Sequence, residues 1–356
     1  MIKKNQPAEL SAFEAISEAQ KIAFSPIAFQ AVVSLLRLGL LKKVSEAGSD
    51  GATAGQLAKS LDISEYGVKV LLDMGLSMNL VWPKDDRYVL DKVGHYLLED
   101  RMSQINLNFV QDVCYEAMIH LMKSIETESP DGLKIFGDWS TLYPGLSSLP
   151  SPARESWIDF NNFYSERAFR DAMPIAFESR PGHMLDIGGN TGVWAHKCIN
   201  YDPDVRVTIV DLPEQTAVAR ENIRSNGAQD RIDTYDADLL DPQQVLPSGA
   251  DTIWMSQFID CFSEAQIAEI LRKVTTIMDK ETSLYILDLF WDRQQHEAAT
   301  YSVNATSLYF SCIANGCSRM YHSADIIGIA KDSGLAVKAQ HDDLGLGHTL
   351  LHCMLE

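Results

Sequence analysis

The sequence predicts an α/β protein in which a mainly parallel seven-stranded sheet, its last strand antiparallel, follows a mostly helical N-terminal region. Three observations predict it. From residue 183 onward, short apolar runs alternate with helical stretches, the pattern of strands joined by crossover helices. The segment His183–Trp194, HMLDIGGNTGVW, joins an apolar strand to a helix through a glycine-rich turn. Before residue 105 the apolar residues instead recur at helical spacing and lead into a short β-ribbon.

Composition narrows the function classes. With 46% hydrophobic and 22% charged residues over 356 positions, the chain has the makeup of an ordinary globular protein with room for a sizeable core. Its formal net charge of −19 opposes binding to nucleic acid, which requires clustered lysine and arginine against phosphate, and opposes docking on an anionic membrane. The N-terminal stretch has Lys3 and Lys4 but no apolar core of signal-peptide length, and no apolar run is expected to reach the roughly 18–20 residues that span a bilayer. The six cysteines are scattered without a CxxC pair, so neither a metal site nor disulfides are expected, and the chain reads as cytoplasmic.

Taken in order, residues 10–45 read as helix, with Phe24, Ile27, Ala31, Leu35, Leu38 and Leu41 on one face and Pro26 as a start or kink. Thr53 is a cap for a short helix carrying Leu57 and Ala58, and Ser64 for a second carrying Val68, Leu71 and Leu72. Leu80–Trp82 and Arg87–Leu90 then read as two strands around the turn Pro83–Asp86. Helix, turn, helix and ribbon make a winged helix. Its second helix offers Lys69 but also Glu65 and Asp73, a poor reader of a DNA groove. Residues 1–104 therefore form one region and 105–180 a helical linker with one Gly-, Pro- and Ser-rich loop. Tyr115, Trp139 and the stripe Trp157, Phe160, Phe163 and Tyr164 fit either helix core or the wall of a pocket for a flat molecule. Residues 181–356 form the α/β domain. Its strands are expected at 183–187, 205–210, 231–235, 252–256, 284–289, 335–341 and 348–354, the last two antiparallel because only a short loop joins them.

The chemistry lies at the carboxyl ends of these strands. Asp186 precedes Gly188, Gly189 and Gly192, a spacing that differs from the GxGxxG turn that cradles a pyrophosphate. A carboxylate there repels phosphate and suits a ligand carrying positive charge. Asp211 ends the next strand, where an acidic residue binds ribose hydroxyls, and Asp238 follows the third, where a carboxylate beside a backbone amide reads adenine. Singly, each of these is an ordinary cap or loop residue; together they point to a nucleoside cofactor.

The segments LDIGGNTG, VDLP, DADLL, PSGADTIWMSQFIDCFSEAQIAEIL and NGCSRMYHSADIIGIAKDSGL resemble the class I O-methyltransferases of the caffeate and hydroxyneurosporene type over about residues 20–356. The resemblance implies a Rossmann-like catalytic domain after a winged-helix dimerisation domain, and S-adenosylmethionine as cofactor with S-adenosylhomocysteine as product. It also implies a small planar, aromatic or polyketide-like acceptor, and a homodimer formed through the N-terminal region. It places cofactor contacts at Gly188, Asp211, Asp238, Leu239 and Ser256, joined by the adjoining Asp186, Gly189, Gly192, Leu212 and Gln257. It implies an acceptor pocket that includes Tyr115, Phe160, Phe163 and Tyr164.

The sequence departs from the family where the base should stand. After the fourth strand such enzymes read Leu-His-Asp-Trp, whereas this chain reads Ile259-Asp260-Cys261-Phe262. The acids that orient the family histidine fall on Asp288 and Ser318. Three readings follow: Asp260 is a desolvated base assisted by Asp288, the acceptor needs little base, or the chemistry has changed to a hydroxylase-, decarboxylase- or regulator-like role. Ser263 is the better cap for the following helix, which frees Asp260 for the pocket.

Overall fold

The computed structural model describes residues 9–356; Lys3 and Lys4 lie outside the described residues. The chain divides into two compact units, with the break between Val113 and Cys114.

The N-terminal unit opens with α1 (Ala12–Arg37), whose start is fixed by a capping box in which the Glu14 amide donates to the Ser11 hydroxyl at 3.3 Å. Helix α1 runs through Pro26 rather than starting there. The single helix read over 10–45 is in fact two, because Leu38 and Gly39 break it before α2 (Leu40–Glu46). Gly39 has a φ of 75°, the left-handed conformation in which glycine ends a helix. β1 (Ala52–Thr53), α3 (Ala54–Leu61) and α4 (Glu65–Ser77) follow. Thr53 and Ser64 cap the two helices as the sequence predicts. β2 (Val81–Lys84) and β3 (Arg87–Leu90) form the antiparallel ribbon, and β1 joins β3 to complete a sheet in the order β1-β3-β2. α5 (Lys92–Glu99) and α6 (Arg101–Phe109) close the unit. Its core is Leu35, Leu40, Leu41, Leu57, Val68 and Leu72 with the ribbon's Leu80 and Val81. Each such side chain stabilises the fold by roughly 1.5–3 kcal/mol through burial.

Most of α1 stays outside that core: Phe13, Ile16, Ile22, Phe24 and Ile27 are all exposed. Among the described residues, α1 is long and apolar enough by length and composition to cross a membrane, although the sequence reading expected no such run.

In the second unit, the stretch before the sheet is more broken than predicted. α7 (Leu121–Thr127) and α8 (Ala153–Ala176) are its only α-helices, separated by short 3₁₀ turns at Asp131–Ile135 and Tyr143–Ser148. Strands and helices then alternate: β4 (His183–Ile187), α9 (Val193–Tyr201), β5 (Arg206–Asp211), α10 (Pro213–Ser225), β6 (Ile232–Asp236), β7 (Thr252–Ser256), α11 (Glu264–Thr275) and β8 (Ser283–Asp288). α12 (Glu297–Tyr309), α13 (Ser323–Asp332), β9 (Leu335–Leu344) and β10 (His348–Leu355) complete the unit. The seven strands lie in the order β6-β5-β4-β7-β8-β10-β9, with β10 antiparallel to both neighbours.

Period-two alternation sends each strand's side chains to two cores. Leu185, Ile253, Met255, Leu284 and Ile286 face α11 and α13. Met184, Trp254, Tyr285 and Leu287 face α8 and α9. On this second face the Trp254 ring stacks on Trp194 with centroids 3.9 Å apart and planes within 9°. The chain leaves β4 toward β5 and β6, then returns to β7 on β4's other side. The carboxyl ends of β4 and β7 therefore flank the crevice where open α/β sheets bind ligands.

Candidate active site

The glycine turn after β4 takes the form its residues require. Gly188 has a φ of 74°, and a Cβ there would meet the Phe258 ring at 2.2 Å, so only glycine lets the β7 tip close against the β4 tip. Gly192, with a φ of 86°, precedes α9.

The three acidic tips lie on adjacent strands, β4, β5 and β6. Asp186 is buried on the face that carries Trp254, its register partner. Its Oδ2 has no hydrogen-bond partner among the described residues, and burial pushes its carboxyl up to about 8. Asp211 accepts from the Asn190 amide at 2.8 Å and the Leu212 amide at 2.7 Å, tying the glycine turn to the β5 tip. Burial raises the Asp211 carboxyl to about 6 against those two donors. Asp238 is exposed and accepts from the Leu240 amide at 2.9 Å, while Leu239 beside it is buried. An orphaned buried carboxylate oxygen beside two acidic tips fits a nucleoside that carries cationic groups and does not fit a pyrophosphate. An open groove between α9 and α10, lined by Thr191, His196, Lys197 and Asn222, includes none of these tips.

At the β7 tip, the Ser256 hydroxyl is buried without a partner among the described residues. Gln257 adopts a φ of 48°, its amide N–H donates to the Leu287 carbonyl at 2.8 Å, and its side chain accepts from the Ser165 hydroxyl on α8. α8 thus passes over this tip. Trp157, Phe160, Tyr164 and Ala168 share one helical face, with Phe163 at its flank. The Phe160–Tyr164 centroids lie 4.9 Å apart and those of Phe163–Tyr164 5.4 Å apart, with Arg167 over Phe163. Tyr115 is half-buried beyond the break that separates the two units.

Asp260 lies in the 3₁₀ turn Ile259–Cys261 and is buried, while Ser263 and Gln266 form the capping box of α11, which leaves Asp260 free as the sequence predicts. The Asp288 carboxylate at the end of β8 accepts from the Leu289 amide at 2.7 Å, and its Oδ2 has no partner among the described residues. Burial raises both carboxyls, Asp260 to about 6, and the charge of Asp260 drives Asp288 well above the carboxylate range. Ser318 is also here: its hydroxyl donates to the Asp260 carbonyl at 2.6 Å.

Residues 173–336 match the family described as O-methyltransferase domain, and residues 17–88 match the Dimerisation2-like domain. The chain belongs to the S-adenosylmethionine-dependent O-methyltransferases. It is similar to 3-hydroxy-5-methyl-1-naphthoate 3-O-methyltransferase of Streptomyces sahachiroi, 24% identical over 309 residues, 86% of this chain and 85% of that protein. It is also similar to L-tyrosine C(3)-methyltransferase of Streptomyces lavendulae, 24% identical over 256 residues, 71% of this chain and 69% of that protein. Its fold matches that of apo SibL, an S-adenosylmethionine-dependent methyltransferase, with a TM-score of 0.74 at 21% identity, covering 96% of this chain and 99% of that one.

This O-methyltransferase also gathers residues around Asp260 that the sequence reading did not single out. Tyr143, Tyr309 and Asn315 come from loops and helix ends far apart in the chain. The Trp157 indole donates to the Tyr309 hydroxyl at 2.8 Å, which joins α8 to the end of α12. Asn315 opens the segment NGCSRMYHSADIIGIAKDSGL, but no periodicity or local motif marks Tyr143 or Tyr309. His120 is exposed on its 3₁₀ turn, and His322 caps α13. His348 is fully buried and burial lowers it to about 4, so it stays neutral.

Proposed function

We propose that this enzyme methylates a hydroxyl of a small planar, aromatic or polyketide-like acceptor, with S-adenosylmethionine as the methyl donor and Asp260 as the proton acceptor. The observation that carries the reading is the buried Asp260–Asp288 pair at the carboxyl end of the sheet, beside the crevice bounded by Gly188 and Phe258. The cofactor supplies a methyl on a sulfonium, whose C–S bond breaks with its electron pair left on sulfur. Asp211 and Asp238 receive the ribose and adenine ends, the turn Gly188–Gly192 admits the ligand to the backbone, and Asp186 faces its cationic end. Leu212, Leu239, Ser256 and Gln257 complete its walls. Phe160, Phe163 and Tyr164 stack against the acceptor and exclude water, and Tyr115 extends that wall. The acceptor hydroxyl gives its proton to the Asp260 carboxylate as its oxygen bonds to the methyl carbon. Asp288 lies buried beside it, its carboxyl raised by burial and by the charge of Asp260. Alignment in such a displacement lowers the barrier by roughly 7–11 kcal/mol, and the base adds about 100- to 10,000-fold. The relative that methylates a hydroxynaphthoate supports a fused-ring acceptor.

The test is incubation with methyl-labelled S-adenosylmethionine and a panel of hydroxynaphthoates and phenols, with mass spectrometry of the products. A methyl ether on one of them is expected; label transfer to ring carbon or nitrogen, or to none of the panel, contradicts the reading.

Two further results follow. Asp211→Ala removes a ribose acceptor and releases the Asn190 and Leu212 amides. It should weaken adenosylhomocysteine binding by about 1.5–3 kcal/mol, roughly ten- to a hundredfold, in calorimetry. The exposed apolar face of α1, Phe13 to Ile27, lies within a unit that matches a dimerisation domain, and a two-fold copy covers it. Light scattering should give a homodimer at micromolar concentration, and a chain lacking residues 1–100 should be monomeric. A monomeric full-length chain rejects the assignment.

A further inference from the structure

We propose that Asn315, Tyr143 and Cys261 form a positioning relay that orients the Asp260 carboxylate and the turn that carries it. The inference rests on Asp260 being the proton acceptor, and its geometry starts at Asn315, just past the π-helical turn Phe310–Ala314 and buried. The Asn315 side-chain carbonyl accepts from the Cys317 amide at 2.9 Å and the Ser318 amide at 3.0 Å, which fixes the way the side chain faces. Its NH₂ group has two hydrogens and three acceptors within reach: the Ser318 hydroxyl at 2.8 Å, the Cys261 carbonyl at 3.0 Å and, farthest, the Tyr143 hydroxyl at 3.2 Å.

The Ser318 hydroxyl, having accepted from Asn315, gives its own proton to the Asp260 carbonyl at 2.6 Å. The Tyr143 hydroxyl lies beside Asn315 and interacts with the Cys261 thiol, and the thiol donates to Asp260 Oδ1 at 3.4 Å. Both branches therefore end on the turn Ile259–Cys261, one on its backbone and one on the carboxylate. Tyr143 is itself held: the Leu142 amide donates to the Ala314 carbonyl at 2.7 Å, and the Gln215 side chain of α10 donates to the Tyr143 carbonyl at 3.2 Å. The loop over the acceptor side and the helix that follows Asp211 are thus tied to the same carboxylate.

The ionisable groups that face Asp260 are Cys261 on its own turn, Tyr143 from the loop, Asp288 from β8, Tyr309 from α12 and Tyr321 before α13. Among the described residues no lysine, arginine or histidine forms an ion pair with it. With no cation to steady the carboxylate, the thiol is the donor that favours its ionised form against burial. Deleting that donor, or the phenol behind it, shifts Asp260 toward its protonated form, and a base that stays protonated to higher pH is less available.

The experiment is a pH titration of the full chain labelled with ¹³C at the aspartate carboxyl carbons, where the Asp260 resonance is the one missing from Asp260→Asn. No acceptor is needed. In Cys261→Ala and Tyr143→Phe the Asp260 midpoint should move to higher pH, and Cys261→Ser, whose hydroxyl donates in the thiol's place, should bring it back. Calorimetry with adenosylhomocysteine should give affinities within about twofold of wild type in all three. A lower melting temperature with an unmoved Asp260 midpoint overturns the relay and leaves these residues structural. An Asp260→Asn enzyme with normal turnover defeats the base reading instead, whatever the titration shows.

Discussion

Asp260→Asn should lower the methyl-transfer rate by roughly 100-fold or more while adenosylhomocysteine affinity stays near wild type. Asparagine keeps the shape of the turn and its hydrogen bonds to Ser318 and Asn315, since these reach the backbone carbonyls of Asp260 and Cys261. What it removes is the acceptor of the proton. An ordinary aspartate, with a pKa of about 3.9, is poorly matched to a phenol near 10. Burial beside Asp288 narrows that gap by raising Asp260 to about 6. Because the base is the ionised form, the rate should rise with pH through about 6 and level off above it. Turnover in Asp260→Asn within a fewfold of wild type would show that alignment alone suffices for the acceptor.

The second large effect is on stability. Trp254→Ala should destabilise the protein by about 3–5 kcal/mol, read from the midpoint of urea unfolding. Trp254 is fully buried, stacks on Trp194 and also packs against Phe169 and Tyr285. Its removal leaves a cavity between the sheet and α8, beside Asp186. The indole nitrogen, by contrast, has no partner among the described residues. Trp254→Phe therefore loses ring area without stranding a polar group, and should cost much less than the alanine variant. A loss below about 1 kcal/mol for Trp254→Ala would contradict the packing described.

The strands were legible because burial imposes local patterns. Thr252–Ser256 is occupied as predicted, and the short loop after Leu344 makes β9 and β10 antiparallel. Caps were legible for the same reason: Thr53, Ser64 and Ser263 each bond an amide within their own first turn. The break in the first helix had a visible sign, Gly39 after an apolar stretch, but the periodic pattern continues across it and hides the change of direction. The region before the sheet was read poorly because its turns are held by distant partners, as Leu142 is by Ala314. The same holds for the site. Asp186 and Asp211 lie in the last residues of their strands, Asp238 and Asp260 just after theirs, and a position at a strand's end is a local property. Tyr143, Tyr309 and Asn315 act through tertiary hydrogen bonds, which even the marked segment around Asn315 does not announce.

The central claim is that the tips of β4, β5 and β6 receive a cationic nucleoside and exclude a dinucleotide phosphate. Isothermal titration of the full chain with S-adenosylmethionine, S-adenosylhomocysteine and NAD tests it most directly. The account predicts one site per chain for the first two and no measurable heat from NAD, because Asp186, Asp211 and Asp238 leave a pyrophosphate without compensating positive charge. NAD binding as tight as that of adenosylhomocysteine, or no binding of either adenosyl compound, would contradict it.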